Sequence, residues 1–313
     1  MDPPPISAEP TPTIPIVDLL CRDDEEIANA VHAACVQHGF FYLVGHDINQ
    51  RPVLDAARRF FSIPLELKLQ LKTNKCGRGY EPPSHVLENF ESIPENKVKR
   101  KESIMFGREV SPDELEKWGD VQFSSIGYNQ WPDESTGDLC DFKAISEKYF
   151  SDCWRLSSRL LRIFARSLGK SDEYFSDSFE FPTVMLRMLR YLPEKSRPED
   201  GIFAAGPHTD YGMFTLLATE TPGLQLRQGE VWHDIPPIAG AFICNIGDAL
   251  SIATSCRYKA TEHRVILDGL IERYSIAFFF EPSLNTPLKA LETSSDDGSY
   301  LEHLQKKCLE TMA

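Results

Sequence analysis

A chain of 313 residues, 42% of them hydrophobic and 26% charged, has the make-up of an ordinary globular protein, long enough to bury a large core and neither disordered nor fibrous. Its net charge of −14 repels phosphate backbones and anionic membrane surfaces, so neither nucleic acid nor a membrane is expected as a partner, and no apolar run approaches the roughly 20 residues that span a bilayer. The eight cysteines lack any CxxC pair, which argues against a zinc ribbon or a disulfide framework and for thiols in a reducing, cytoplasmic compartment.

The Pro-rich start, Met1 to Pro15, lacks the basic and apolar regions of a secretory signal, and residues 1–12 are expected to form a flexible leader. From Cys21 to His38, Asp23 stands three residues before Glu26 in capping-box spacing, and Ile27, Val31, Ala34 and Cys35 share one helical face, which predicts a helix ended by Gly39. Phe40 to Val44 reads as a short buried strand. Asn49 to Phe61 and Leu65 to Lys72 read as helices parted by Pro64, and Asp138 to Leu168 as the longest helix, stopped by Gly169.

Past Phe181 the character changes to closely spaced short runs: Thr183 to Leu192, Met213 to Ala218, Gly223 to Arg227, Val231 to Ile235, Ala241 to Ile246, Glu262 to Leu267 and Arg273 to Phe280. Punctuated by Gly and Pro, they predict an antiparallel sandwich or barrel covered by a helical layer from the first half. Ser294 to Ser299 reads as an exposed loop, and Ser299 to Met312 as an amphipathic helix packed outside. The expected division is one compound domain, with a helical and β region over residues 13–180, a β core over 181–285 and a closing loop and helix over 286–313.

Within Pro207 to Tyr211, His208 and Asp210 share one face of an extended segment, because side chains alternate with period two. His263 opens another predicted strand. Two imidazoles and one carboxylate on one side of an ion leave the opposite positions open, the facial arrangement of non-haem Fe(II) oxygenases rather than of a closed zinc site. Ten residues on, Arg273 and Ser275 alternate onto one strand face, a pairing suited to the far carboxylate of a dicarboxylic acid whose other end chelates the metal. Taken alone, His-x-Asp is more often a surface hydrogen bond and a buried Arg can be half of an ion pair; the conjunction is what points to a site.

Several ordered motifs then bear on the whole chain. They are Ile14 to Leu19, His38-Gly39-Phe40-Phe41 running to Gly45-His46, Lys101-Glu102-Ser103 with Phe106-Gly107, and His208-Thr209-Asp210-Tyr211-Gly212. After these come Asn245-Ile246-Gly247-Asp248, Arg257-Tyr258-Lys259, His263-Arg264-Val265, Arg273-Tyr274-Ser275 and Phe279-Phe280-Glu281-Pro282. In this order the chain resembles the plant-type family of 2-oxoglutarate- and Fe(II)-dependent dioxygenases, which also includes the isopenicillin N synthase-like oxidases.

The resemblance implies a mainly β fold, a double-stranded β-helix or jelly-roll core with a helical amino-terminal layer. It implies Fe(II) on His208, Asp210 and His263, and 2-oxoglutarate anchored by Arg273 and Ser275, with O2 as oxidant and ascorbate in support. Many relatives carry Asn-Tyr-Tyr-Pro where this chain has Arg190-Tyr191-Leu192-Pro193, so part of the co-substrate contact is absent or rebuilt, and Tyr191 or Arg190 is the candidate replacement. Arg190, Phe278, Phe280, Tyr211 and Phe106 are candidates for the substrate pocket, with Arg78, Arg187 and Arg190 as cations that select an anionic substrate. Loops over Gly77 to Pro83, Phe106 to Val110 and Phe123 to Trp131 are expected to shape it.

The expected activity is oxidation, above all hydroxylation, of a small metabolite with release of succinate and CO2, and no obligatory protein partner is expected. Two other readings stay open at the level of sequence. One is an Fe(II) oxidase that does without 2-oxoglutarate, as in isopenicillin N synthase-like or aminocyclopropane carboxylate oxidase-like members; the other is a non-catalytic ligand-binding relative.

Overall fold

The computed structural model describes residues 14–312 apart from 22, 75, 88–89, 122–124 and 290–295. Strand β1 (Ile16–Asp18) leads into helix α1 (Asp24–Gln37), which buries Ile27, Ala28, Val31, Ala34 and Cys35. Asp23 caps α1 by accepting the Glu25 backbone N–H at 2.9 Å. The expected reciprocal bond from Glu26 gives way to a different one, since its carboxylate accepts the Cys21 thiol at 3.2 Å. Gly39 ends the helix at φ +66°, where a Cβ would stand 2.1 Å from the Lys259 carbonyl oxygen, so only glycine lets the chain turn directly into β2 (Phe40–Val44).

Helices α2 (Arg51–Ser62) and α3 (Leu65–Leu69) follow, then strands β3 (Gly79–Glu81) and β4 (Lys101–Gly107), then α4 (Pro112–Trp118) and the 26-residue α5 (Phe142–Ser167). The second half supplies β5 (Met185–Tyr191), β6 (Ala205–His208), β7 (Phe214–Thr219), β8 (Leu224–Gln228), β9 (Val231–Asp234) and β10 (Phe242–Ile246). It continues with the short helix α6 (Asp248–Ala253), β11 (His263–Val265), β12 (Arg273–Phe280), β13 (Pro287–Lys289), β14 (Asp296–Ser299) and α7 (Tyr300–Met312). The loop expected over Ser294 to Ser299 is therefore corrected in part. Residues 296–299 pair with β13, Pro287 opposite Ser299, while 294–295 lie outside the described residues.

One sheet runs in the order β1-β2-β10-β7-β12-β5-β4-β3, and a second in the order β6-β11-β8-β9. Strands β1 to β4 from the first half thus extend the sheet whose centre comes from the second half. The two faces of the large sheet serve different ends. On β12, Tyr274, Ile276, Phe278 and Phe280 pack with α2 and α5 in the main core, where Phe60, Phe142, Leu160 and Phe164 are sealed from solvent. Ala277 and Phe279 point the other way, into a second apolar cluster that joins Phe40, Tyr42, Leu189, Tyr191 and Ile243 to Ala205, Leu224, Leu226 and Val265 of the small sheet. The space between the two sheets is where the polar residues of interest converge.

Candidate metal centre

His208 ends β6 and His263 begins β11, and the antiparallel register of these strands sets the two residues directly opposite each other, ring centroids 4.4 Å apart. Asp210 follows two residues after His208, and one ligand atom from each of the three lies within 4.8 Å of the other two. His208 Nδ1 lies 2.8 Å from the Gly206 carbonyl oxygen and His263 Nδ1 lies 3.1 Å from that of Thr261. Each ring donating its Nδ1–H to a carbonyl turns its Nε2 toward Asp210 Oδ1, at 3.9 Å and 3.7 Å.

The other carboxylate oxygen, Oδ2, accepts hydrogen bonds from Asn245 at 2.7 Å and from Thr215, which leaves Oδ1 for an ion. Burial works against the Asp210 charge, yet the imidazoles of His263 and His208 and these two donors hold its carboxyl below the ordinary range. Burial, then the neighbouring His263, depresses the proton affinity of His208. An ionised Asp210 beside a His208 whose proton is easily lost suits a divalent cation, which needs deprotonated ligands.

Across the cavity, Arg273 and Ser275 project from the same face of β12, each 1% exposed. Arg273 Nε donates to the Thr221 carbonyl at 3.3 Å, but among the described residues neither of its terminal amino groups, nor the Ser275 hydroxyl, meets a partner in hydrogen-bonding geometry, the Tyr191 phenol being the polar group that neighbours both. Tyr191 stands next to Arg273 on the neighbouring strand, with the guanidinium 5.0 Å from its ring centroid. Burial alone would raise the Tyr191 phenol, but the cations of Lys101 and Arg273 bring it below its ordinary value. The cavity thus carries buried donor capacity for an anion, beside donors suited to a metal.

Two family models divide the chain. The 2OG-Fe(II) oxygenase superfamily model matches residues 183–282, and the model for the N-terminal region of the non-haem dioxygenase in morphine synthesis matches residues 14–134. Clavatol oxidase of Penicillium crustosum is 33% identical over 94% of this chain and 93% of its own length. The chain belongs to the 2OG-Fe(II) oxygenase superfamily.

Homoarginine-6-hydroxylase of Glycine max is 32% identical, covering 95% of this chain and 96% of its own. The crystal structure of a full-length Neurospora crassa protein in complex with alpha-KG and thymine superposes with a TM-score of 0.79 at 28% identity, over 95% of this chain and 97% of that one. The protein is a 2-oxoglutarate-dependent dioxygenase that takes Fe(II) and acts on a small molecule, and of the readings left open by sequence the oxidase and the non-catalytic relative both give way to it. The His-Asp-His group and the unpaired Arg273 fit the metal and the dicarboxylate that this superfamily uses.

Four of the pocket residues expected from sequence lie on the wrong side of the large sheet. Arg190 is adjacent in sequence to Tyr191 and so points the opposite way, toward the helices, where it pairs with Glu102 at 2.8 Å and with Glu272. Phe278 and Phe280 alternate with Ser275 and Ala277 into the main core, Phe278 edge-on to Phe150 at 5.2 Å and Phe280 stacked on Phe179 at 4.7 Å. Phe106 stacks on Trp131 at 4.3 Å in the same core. Tyr211 lies next to Asp210 but packs, partly buried, against that core too.

The other expected cations are likewise engaged. Arg78 is buried, donating to the Ser125 and Gly127 carbonyls, and ties the loop at 125–129 to the sheet edge. Arg187 faces the cavity but is paired with Glu81 at 2.6 Å and donates to Ser103. Residues that sequence reasoning missed include Thr215 and Asn245, which hold Asp210, and Phe279, whose place follows from counting by two from Arg273. Lys101 was missed because only the long-range pairing of β4 with β5 puts it opposite Tyr191.

Beneath the Asp210 turn, buried Glu281 receives a 3.4 Å hydrogen bond from Thr183. Burial, with the Asp210 charge nearby, raises its carboxyl to about 8 against partial relief from Tyr300 and Thr183. Below about pH 4.5 the group is protonated folded or unfolded and costs nothing. As pH rises toward 8 the unfolded chain ionises while the folded one resists, so stability falls across that window. Glu281→Gln is therefore expected to match the wild-type melting temperature of the metal-free protein at pH 4 and to exceed it at pH 8, where the stability gained is on the order of a few kcal/mol. A pH-independent difference between the two melting curves would refute this ionisation.

Proposed function

We propose that His208, Asp210 and His263 hold the Fe(II), that Arg273, Ser275 and Tyr191 hold 2-oxoglutarate, and that the reaction is hydroxylation of a small organic metabolite in the cytoplasm. The observation that carries the reading is the pair of unpartnered amino groups on a fully buried Arg273. An arginine sealed from water without a counter-charge is costly, and a bidentate carboxylate is the partner its planar fork matches. Ser275 offers a further donor on the same strand face, and Tyr191 closes the side of the cleft.

Bound at the three-residue site, Fe(II) supplies redox chemistry with O2 that couples conversion of 2-oxoglutarate into succinate and CO2 to oxidation of a substrate C–H bond. The chain's own work is positional. Thr215 and Asn245 fix one oxygen of Asp210, and the Gly206 and Thr261 carbonyls fix the tautomer and tilt of the two imidazoles. Arg273 draws one end of the co-substrate into the sheet interface, which orients the other toward the triad. Leu189, Leu226, Val265 and Ala277 line the interface with apolar surface that excludes water from the reacting region.

The test is an anaerobic titration of the Fe(II)-loaded protein with 2-oxoglutarate, watching the visible charge-transfer band that bidentate chelation produces. Wild type is expected to develop the band, and Arg273→Ala to need on the order of 100-fold more 2-oxoglutarate, the cost of stranding a buried carboxylate. An iron-loaded wild type with no band would overturn the assignment.

A further inference from the structure

The cavity holds one more cation than the co-substrate needs. Lys101 opens β4, and the register Lys101↔Tyr191↔Arg273 sets three residues in one row across β4, β5 and β12, all on the face that looks toward the small sheet. Its ammonium lies 5.7 Å from the Tyr191 ring centroid, and the Arg273 guanidinium lies 5.0 Å from the same ring. Among the described residues Lys101 Nζ makes no hydrogen bond or ion pair, although its side chain is largely withdrawn from solvent.

Its surroundings do not supply the missing charge. Glu81 is the nearby carboxylate, and it is already shared by Arg187 at 2.6 Å and by Lys99, with Ser103 donating to it at 3.4 Å. Lys99, Lys101 and Arg187 thus stand around a single carboxylate, and burial followed by the charge of Arg187 makes the Lys101 proton easier to lose. On the opposite face of the same sheet the charges balance, since Lys68 and Arg190 share Glu102 and Arg190 also meets Glu272. A partly buried ammonium that faces the space between the sheets and has no ion pair among the described residues is a binding element for an anion that arrives from outside.

We propose that Lys101 is a specificity-determining residue that binds a carboxylate of the primary substrate, making that substrate a small organic acid. The inference rests on the reading that Arg273 is taken by 2-oxoglutarate, which leaves Lys101 free for a second anion. The two cations lie two strands apart, about 10 Å at the backbone, with Tyr191 between them, so each serves its own carboxylate.

The test uses benzoate and its neutral isostere benzamide as probes, titrated calorimetrically into the 2-oxoglutarate-saturated protein in wild type, Lys101→Met and Lys101→Arg. Wild type is expected to bind benzoate at least about tenfold more tightly than benzamide, Lys101→Met to lose that preference, and Lys101→Arg to keep most of it. The charge-transfer titration on the same proteins is expected to show 2-oxoglutarate binding to Lys101→Met within about twofold of wild type, which also shows that the variant is folded. Equal binding of the two probes to wild type, undiminished benzoate binding by Lys101→Met, or loss of 2-oxoglutarate binding in that variant each overturns the proposal. A wild type that lacks the band defeats the reading of Arg273, while the comparison of the two probes still reports on Lys101.

Discussion

Asp210→Ala is expected to yield a folded protein that neither retains Fe(II) nor releases succinate, with turnover lower by roughly 1000-fold or more. The size follows from what Asp210 does. It contributes the single carboxylate of the triad, and its two oxygens are divided, one held by Asn245 and Thr215 and the other turned toward both imidazoles. Losing an outer partner of a metal ligand alone costs about 10–100-fold, so losing the ligand costs more. Asn245→Ala, which frees Asp210 to rotate without removing it, is expected to fall in that smaller range.

Removing Asp210 also strands the buried donors Asn245 and Thr215 and loses a carboxylate that its surroundings favour ionised, so the melting temperature of the metal-free protein is expected to fall by a few degrees while iron binding disappears. Iron content after desalting, read beside melting temperature, separates the two effects. Stoichiometric iron in Asp210→Ala at wild-type affinity would remove Asp210 from the site.

The spacing of residues made the general plan legible and left its sidedness hidden. The short runs past Phe181 appear as strands within a residue or two of their expected limits, because β-branched and aromatic residues between Gly and Pro signals have few other options. His208, Asp210 and His263 were legible for the same reason, two of them in one extended segment and the third at a strand start. What a single strand does not reveal is which of its faces looks inward when both are apolar. On β12 and β5 both faces are buried, one in the helical core and one in the sheet interface, so Phe278 and Arg190 are as hydrophobically credible for the cavity as Phe279 and Tyr191. Parity from Arg273 would have resolved β12. For β4 no parity anchor exists in sequence, because its direction is set by pairing with β5, distant in sequence, as in Lys101 opposite Tyr191.

The glycine of the Asn245-Ile246-Gly247-Asp248 motif carries the second large expected effect. Gly247 has φ −100°, which any residue adopts, so backbone freedom does not explain it. Space does. A Cβ at 247 would lie 2.3 Å from the Gly212 carbonyl oxygen, 2.9 Å from its carbon and 3.1 Å from the Asp210 carbonyl oxygen, all backbone atoms that no rotamer change can move. That crowding exists because the start of α6 grips the Asp210 turn. Gly247 N–H donates to Met213 O at 2.9 Å, Asp248 N–H to Asp210 O at 2.8 Å and Ala249 N–H to Gly212 O at 3.0 Å.

Gly212 in turn cannot retreat, since Glu281 lies behind it, close enough that a Cβ there would come within 2.6 Å of its side chain. Gly247→Ala must therefore push α6 away from residues 210–213, breaking these three bonds and displacing Asp210 from the imidazoles. Each net hydrogen bond is worth about 1 kcal/mol and the steric term adds to them, so a fall in melting temperature of on the order of 10 °C is expected, with iron affinity lower by about 100-fold. Gly206→Ala is the control. It stands two residues before His208 and closer to it in sequence, yet its Cβ would meet only the Phe203 ring at 3.8 Å, so iron binding and stability are expected to stay near wild type. Equal damage from the two substitutions would show that small residues near the triad matter for some reason other than the contact between α6 and the Asp210 turn.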